Sequence, residues 1–243
     1  MKNRYKSAFT LSEVMVTLAV ASIFGVAVMT FYIQSLKAGY TSQQQIALQS
    51  TMRTITSELI SNASRSHEMI LYRSSDAADR DNVDDRRLIT LDANEDEVRP
   101  TGDMAVFAYY ELPKPAAQNR HRVRKIIAYY PEQTDSGPPQ LTRLVIDLSG
   151  APSTSTVEQI LANHWTNGGT GITVERKVFA PRVTPLALGD NYDPLTDSPR
   201  LFFMTSAENI AVCGQLKQSA TNKDTSDRNT LTRTFFFTIS VRA

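Results

Sequence analysis

The stretch that decides the fold is Met1–Ile33, MKNRYKSAFTLSEVMVTLAVASIFGVAVMTFYI. A short polar leader carries three basic residues, and the run from Phe9 to Ile33 then contains neither proline nor a basic residue. A helix over that run is roughly 37 Å long, enough to cross a bilayer core of about 30 Å. We therefore expect residues 9–33 to form a single transmembrane helix, with the basic leader in the cytoplasm and the bulk of the chain outside the inner membrane.

Glu13 is the one charged residue inside this apolar run. A lone carboxylate near the end of a membrane helix costs free energy, so it usually has a partner and a function. The targeting signal is also unusual, because an ordinary secretory signal is cut after its apolar core. Here the best junction follows Ser7-Ala8 and lies before that core. Cleavage there would remove residues 1–8 and leave Phe9 at the start of the helix.

The segment Phe9-Thr10-Leu11-Ser12-Glu13 after this junction resembles the class III signal of type IV prepilins and type II secretion pseudopilins. The family pattern is glycine, then Phe-Thr-Leu-x-Glu, then a long apolar run. The resemblance implies cleavage after Ala8 by prepilin peptidase, N-methylation of Phe9 and assembly through Glu13. Ala8 departs from the pattern, which has glycine at that position. The alternative is an uncleaved signal anchor that carries FTLSE by coincidence.

The charge of Glu13 has a physical use in such an assembly. When helices stack side by side in a filament, the ammonium group of each Phe9 enters an apolar bundle. A carboxylate on a neighbouring helix can neutralise it, because opposite charges attract strongly where water is excluded. We therefore interpret Glu13 as an assembly residue.

The helix is predicted to continue beyond the membrane, because residues 34–67 contain no proline. Apolar residues recur there at three- or four-residue spacing: Leu48, Met52, Ile55, Leu59 and Ala63. This stripe predicts an amphipathic half that ends near Ser66 and packs under a head, with Glu58 on one of the other faces.

Residues 68–243 have the pattern of a β-rich head. The strand candidates are Met69–Tyr72, Leu88–Leu91, Met104–Tyr110, Val123–Tyr130, Leu141–Leu148, Ile172–Phe179, Leu201–Met204 and Thr234–Val241. Turn residues fill Pro131–Pro139 and predict a hairpin with a rather long loop. Val157–His164 is a possible short helix. The predicted fold class is α+β and pilin-like, with a long N-terminal helix packed on an antiparallel head.

The head also resembles, more diffusely, the larger minor pilins and J-type pseudopilins. A tyrosine-containing strand, a turn and a Leu-x-Arg strand recur in those proteins, and here they are Ile126–Tyr130 and Leu141-Thr142-Arg143. The final strand similarly ends in Val241-Arg242. The resemblance implies a minor subunit rather than an abundant one.

Two acidic loops could bind calcium. Asp92, Asn94 and Asp96 space their oxygens like the start of an EF-hand loop, and Asp103 falls at its twelfth position. Glu97, however, stands where the turn of that loop needs glycine. A solvated acidic loop is therefore the alternative, and the same choice applies to a second acidic group: Asp190, Asp193 and Asp197.

The remaining composition offers little chemistry. The formal net charge is +1, and no basic face predicts nucleic-acid binding. Cys213 is the one cysteine and is expected to be buried. The three histidines, His67, His121 and His164, lack metal-binding spacings. Trp165 could be a core anchor or an exposed contact. No catalytic or phosphate-binding motif is present, so we expect no enzyme activity and no cofactor beyond possible calcium.

Three functions are compatible with these patterns. The first is a minor structural subunit of a type IV pilus or a type II secretion pseudopilus. The second is a tip-exposed adhesin or a secretion-substrate-binding pilin on the same anchor, and the third is a membrane-anchored enzyme. The expected partners of the first are prepilin peptidase, other pilin or pseudopilin subunits and the inner-membrane assembly platform. Its expected location is the bacterial inner membrane, and then a pilus at the cell surface or a pseudopilus in the periplasm.

Overall fold

The N-terminal helix, α1, runs from Leu11 to Arg65 in the computed structural model of the chain. The structure describes residues 10–86, 90–91, 97–98, 101–111, 121–134, 137–180, 183–185, 200–206, 208–219 and 230–240. The chain divides into two compact units, Met1–Ala47 and Leu48–Ala243. The helix contributes to both units.

In the first unit, α1 is apolar and exposed. Its large side chains include Phe24 at 70% exposed and Phe31 at 72% exposed. By length and composition α1 could cross a membrane, although an N-terminal signal sequence would meet the same criterion. Because water is an unfavourable solvent for so much apolar surface, this half of the helix is suited to lipid or to packing against neighbouring helices.

In the second unit, α1 contributes one face to the core. Leu48, Ile55, Leu59 and Ala63 are buried, and Met52 packs beside them. The predicted stripe is therefore confirmed. Arg65 ends the helix with a basic residue in its last turn, where a cation offsets the partial negative charge of the helix end.

The rest of the second unit consists of short helices and antiparallel strands. The short helices are α2, Ala77–Arg80, and α3, Val157–His164. The strands are β1 Glu68–Tyr72, β2 Thr90–Leu91, β3 Glu97–Val98, β4 Thr101–Gly102, β5 Met104–Tyr110, β6 Val123–Thr134, β7 Gly137–Asp147, β8 Thr173–Ala180, β9 Val183–Pro185, β10 Phe202–Ser206, β11 Asn209–Ser219 and β12 Thr230–Ser240.

These strands form two larger antiparallel sheets and one small one. The first sheet has the order β1-β5-β6-β7-β8, and the second has the order β12-β11-β10-β4, with β9 also paired to β11. Strands β2 and β3 pair with each other. The fold is α+β with a pilin-like architecture, as predicted.

The first sheet separates two apolar cores. Along β5, Ala105 and Phe107 enter the core that contains α1 and the second sheet. Met104, Val106 and Ala108 alternate with them and enter a second core, which α3 covers. Successive side chains of a strand point to opposite faces, so both faces of this strand are buried.

The structure corrects the predicted loop at Pro131–Pro139. Strands β6 and β7 extend into this segment, and Pro131 stands opposite Leu141 while Thr134 stands opposite Gly137. Strand β6 pairs with β5 only over Val123–Tyr129, and β7 pairs with β8 from Leu141 onward. Pro138 and Pro139 therefore lie in a two-stranded ribbon, and Pro131 lies where β5 no longer pairs with β6. An edge position tolerates a missing N–H.

Strand β11 is the largest element that the sequence pattern did not predict. It pairs with β12 along its whole length and with β9 and β10 on its other side. Most of the predicted strands were found, with β12 beginning four residues earlier than predicted. Residues 88–89 of the predicted strand Leu88–Leu91 lie outside the described ranges.

Replacing Gly102 with alanine should destabilise the head. A Cβ atom there would lie 2.1 Å from the carbonyl oxygen of Tyr72, so β4 or β1 would have to shift. We expect the free energy of unfolding to fall by about 1–3 kcal/mol, the usual cost of overpacking. Chemical denaturation in detergent micelles measures it. The control is Gly39→Ala, where nothing lies within 4 Å and no loss is expected; equal stability of both variants would contradict the prediction.

Candidate functional site

The helix start contains a reciprocal hydrogen-bonding arrangement between Thr10 and Glu13. The backbone N–H of Thr10 donates to Glu13 Oε2 at 2.9 Å, and its hydroxyl donates to the same oxygen at 3.0 Å. In return, the backbone N–H of Glu13 approaches Thr10 Oγ1 at 3.4 Å. This is a capping box, which supplies partners to N–H groups that the first turn of a helix leaves unpaired.

The predicted assembly residue is therefore also the capping residue of its own helix. In the single chain its carboxylate is exposed, so it can also reach a charge on a neighbouring helix. The spacing Thr10-x-x-Glu13 is itself a recognisable capping-box signal. Sequence reasoning assigned Glu13 from the family resemblance and missed this local role.

The hydroxyl groups farther along the apolar half are satisfied within the helix. Thr17 Oγ1 donates to the Glu13 carbonyl at 2.9 Å, Ser22 Oγ to the Leu18 carbonyl at 2.7 Å, and Thr30 Oγ1 to the Val26 carbonyl at 2.8 Å. Such internal bonds make hydroxyl groups acceptable in lipid or in a dry helix bundle. The carboxylate of Glu13 is left as the one side chain between Thr10 and Ile33 that carries a charge at neutral pH.

The two residues of the expected cleavage site, Ala8 and Phe9, lie outside the described residues. Cleavage and methylation at this site therefore stay predictions on structural grounds. The comparison with known protein families addresses the segment directly.

Residues 3–29 match the prokaryotic N-terminal methylation motif. The match covers most of the leader, the FTLSE segment and much of the apolar run, and it indicates a type IV pilin-like precursor. The motif implies processing by prepilin peptidase and assembly with other pilins. No curated protein and no solved structure matches the chain.

In the head of this prepilin-like chain, the predicted calcium ligand Asp103 forms hydrogen bonds with other residues of the protein. Asp103 Oδ2 accepts a hydrogen bond from Arg200 Nη1 at 2.8 Å, and Oδ1 accepts one from the Leu201 N–H at 3.1 Å. Burial raises the pKa of Asp103, and Arg200 counters part of that increase. Asp103 thereby ties the segment after β4 to the start of β10.

The other predicted calcium ligands, Asp92, Asn94 and Asp96, lie outside the described residues, as do Asp190, Asp193 and Asp197. Among the residues that the structure describes, no group of three or more His, Cys, Asp or Glu side chains could hold a metal ion. Calcium binding stays a prediction.

A buried ionic cluster lies where α3 meets the first sheet. Glu158, in the first turn of α3, is 1% exposed and accepts hydrogen bonds on Oε1 from Arg86 Nε and, at 2.5 Å, from the Tyr72 hydroxyl. Arg86 Nη1 also donates to Glu68 Oε1 at 3.0 Å, and the Tyr110 hydroxyl donates to Glu68 Oε2. We call these five residues the ionic cluster.

Electrostatics in the ionic cluster follow from burial and pairing. Burial alone would raise the pKa of Glu158, but the hydrogen bonds from Arg86 and Tyr72 outweigh it and the pKa is lowered. Burial, reinforced by Glu158, raises the pKa of Tyr72, so its hydroxyl stays a donor. The first turn of α3 is thus fixed to β1 through an ionised carboxylate.

A cavity of about 490 Å³ adjoins the ionic cluster and is also lined by His121, Thr154 and Ser155. Thr156 at its edge begins α3 with a second capping box, shared with Gln159. Sequence reasoning missed both the cluster and the cavity. The Thr156-x-x-Gln159 spacing was the available signal for the helix start, but nothing local indicates that Glu158 is buried.

A second polar cluster attaches α1 to the first sheet. The Tyr129 hydroxyl accepts from Asn62 Nδ2 at 2.6 Å and donates to Glu58 Oε1 at 3.0 Å, and Arg143 Nη1 donates to the same Glu58 oxygen at 2.5 Å. Glu58, on a face of α1 beside the apolar stripe, therefore lies against the sheet. The arginine of the Leu-x-Arg strand, Arg143, is the partner that draws it there.

Trp165 and Cys213 both pack against other side chains in the head. Trp165 packs on the core under α3, with its ring 5.0 Å from that of Tyr130 and the Arg80 guanidinium 4.2 Å above it. Trp165 is half-buried, so it packs against the core without being enclosed by it. Cys213 is buried as expected, and burial raises the pKa of its thiol.

The three histidines are not brought together as a ligand set among the described residues. The rings of His67 and His121 each lie about 6 Å from that of Tyr110, at 6.1 Å and 5.9 Å. His67 Nδ1 accepts the Tyr110 N–H at 3.2 Å. His164 lies elsewhere, in the last turn of α3.

Proposed function

We propose that this chain is a minor structural subunit of a type IV pilus or a type II secretion pseudopilus. Prepilin peptidase cuts it between Ala8 and Phe9, Phe9 is N-methylated, and the subunit assembles through its N-terminal helix. The observation that carries this proposal is the methylation motif at residues 3–29, which continues directly into an exposed apolar helix.

The contacts at the helix start support an assembly role for Glu13. Its carboxylate is held next to the position of the new N-terminus by Thr10 and is exposed in the single chain. In an assembled bundle, that carboxylate would form an ion pair with the ammonium group of a neighbouring Phe9. In a bundle that excludes water, such a pair is far stronger than at a protein surface.

The head supports a structural role over a catalytic one. Two ion pairs in the described part of the head attach elements to one another: Glu158 and Arg86 fix α3, and Glu58 and Arg143 fix α1. The size of the head favours a minor subunit, since major subunits are typically smaller. The proposed partners are prepilin peptidase, other pilin or pseudopilin subunits and the inner-membrane assembly platform, with the head on the extracytoplasmic side.

The mass of the mature N-terminus tests this proposal. When the chain is produced together with prepilin peptidase, we expect it to lose residues 1–8 and to begin with methylated Phe9. The variant Ala8→Gly, which restores the family residue, should be cut at least as completely, whereas Ala8→Glu should stay uncut because a charged side chain replaces a small one at the junction. An intact leader on the wild-type chain, with Ala8→Gly cut in the same cells, would exclude this chain as a processed subunit.

A further inference from the structure

Strand β12 forms the outer edge of the second sheet. It pairs with β11 without a register shift, and it has no partner on its other side among the described residues. The side chains at alternate positions are all exposed: Thr232, Thr234, Phe236, Thr238 and Ser240. Phe236, at 60%, is the most exposed large apolar side chain in the described part of the head.

The backbone N–H and C=O groups of these same residues face the unpaired side of β12. Cys213, which stands opposite Phe236, donates its N–H to the Leu201 carbonyl at 2.9 Å, on the side of β11 away from β12. Opposed residues of an antiparallel ladder either exchange both hydrogen bonds or exchange none. The pair of Cys213 and Phe236 is therefore of the second kind, and the N–H and C=O groups of Phe236 face outward. Alternation along the strand extends this to Thr234 and Thr238.

The edge of the first sheet is protected in a way that β12 is not. Strand β8 carries three consecutive charged residues, Glu175, Arg176 and Lys177, which discourage the addition of a further strand. Strand β12 contains a single charge, Arg233, and neither proline nor a bulge. Natural proteins usually blunt a long edge strand, so an unprotected one indicates a place where another strand binds.

The core side of β12 is also incompletely covered. Leu231 and Phe237 are half-buried and pack against the core that contains α1. A strand added beyond β12 would place alternate side chains over these two residues. The apolar surface that it would cover favours a partner with apolar residues at every second position.

We propose that β12 binds an extended segment of another extracytoplasmic protein by strand addition. The segment is about nine residues long, since the exposed alternate positions of β12 run from Thr232 to Ser240, roughly 30 Å at about 3.4 Å per residue. It alternates apolar with hydroxyl-bearing or β-branched residues, and its single charge is an acidic residue near Arg233. The extracytoplasmic location of the partner rests on the proposed function, whereas strand binding at the edge does not depend on whether the leader is cut.

A peptide probe tests the edge on the full chain in detergent micelles. The probe is a labelled nine-residue peptide in which threonine and valine alternate, with threonine at both ends. Aspartate replaces the valine that would lie opposite Arg233, the second residue from the C-terminus in an antiparallel pairing with β12. We expect saturable binding by fluorescence anisotropy, together with slowed hydrogen exchange at the amides of Thr234, Phe236 and Thr238. The variant Thr238→Pro removes an outward N–H that the β11–β12 ladder does not use, so it should fold while binding at least tenfold more weakly.

Two further variants separate loss of the edge from loss of the fold. Thr238→Val keeps the N–H group and should bind like the wild type, and Thr234→Lys adds a charge of the kind found on β8 and should weaken binding. Equal binding by the Pro and Val variants, or no saturable binding by the wild type, would overturn the proposal. Concentration-dependent dimers of the wild type that Thr238→Pro abolishes would also overturn it, because a second copy would then be the occupant.

Discussion

Filament incorporation should be lost when Glu13 is replaced by glutamine. Glutamine at the third helical position still completes the capping box with Thr10, so the helix start, membrane insertion and cleavage should be preserved. The buried Phe9 ammonium of a neighbouring subunit would lose its counter-charge. We expect incorporation to fall roughly tenfold or more, since leaving a buried charge unpaired costs about 3–5 kcal/mol. The amount of subunit in sheared filaments, relative to the processed subunit in the membrane, measures it.

The variant Glu13→Ala provides the matched comparison, because it removes the cap as well as the charge. If pairing is the function of Glu13, the Gln and Ala variants should fail to the same degree. Thr10→Ser, which keeps a hydroxyl at the cap, should assemble normally. Normal incorporation of Glu13→Gln beside failure of Glu13→Ala would assign the residue to capping alone and would contradict an assembly role for its charge.

The largest loss of stability is expected in the ionic cluster, from Glu158→Ala. The variant leaves the Tyr72 hydroxyl without its acceptor at a position that is 0% exposed, and it leaves Arg86 with Glu68 as its remaining partner. Removing one member of a buried ion pair costs about 3–5 kcal/mol. Thermal and chemical unfolding of the head measure the change. The control is Glu175→Ala, whose side chain is 59% exposed and whose ion pair with Arg143 should contribute within about 0.5 kcal/mol.

The same cluster should make stability depend on pH. The pKa of Glu158 in the folded chain lies below its ordinary value of 4.5. Above that value the carboxylate is ionised in both states, and its contribution to stability is fully present. As the pH falls below it, the unfolded chain takes up the proton first, so the contribution is lost as the pH approaches the folded pKa. The stability difference between the wild type and Glu158→Gln should therefore shrink below about pH 4.5; a difference that is constant down to pH 3 would contradict this ionic role.

Strong local patterns in the sequence sufficed to predict much of the fold. The spacing of Leu48, Ile55 and Leu59 gave the buried face of α1, and the β-branched and aromatic run Met104–Tyr110 gave β5 with its observed bounds. The helix α3 also has its predicted bounds, because Thr156 and Gln159 start it with a capping box. In each case the residues that form the element also carry its signal.

Strand β11 shows where this kind of inference fails. Its segment Asn209–Ser219 contains Gly214 and Lys217 and lacks a clear alternation, so no local signal marks it as a strand. Pairing with β12 on one side and with β9 and β10 on the other makes it one. Strand formation there is a tertiary effect, and such effects routinely override propensity.

The candidate functional residues likewise include some that the sequence could predict and some that it could not. Glu13 could be assigned from sequence because the FTLSE segment resembles the family signal, and its charge inside an apolar run supported that assignment. Glu158 could not, because its burial depends on Arg86, which lies 72 residues away along the chain. The EF-hand-like spacing likewise gave no hint that Asp103 would be held by Arg200, 97 residues away.

Because side chains of β5 alternate between its two faces, the first sheet separates two apolar cores. Val106 lies in the core under α3, and its neighbour Phe107 lies in the core that contains α1. A destabilising substitution in the core under α3 can therefore open that core locally while the core that contains α1 stays packed. Such a subunit can vary the residues under α3 to suit its partners without disturbing the packing of α1.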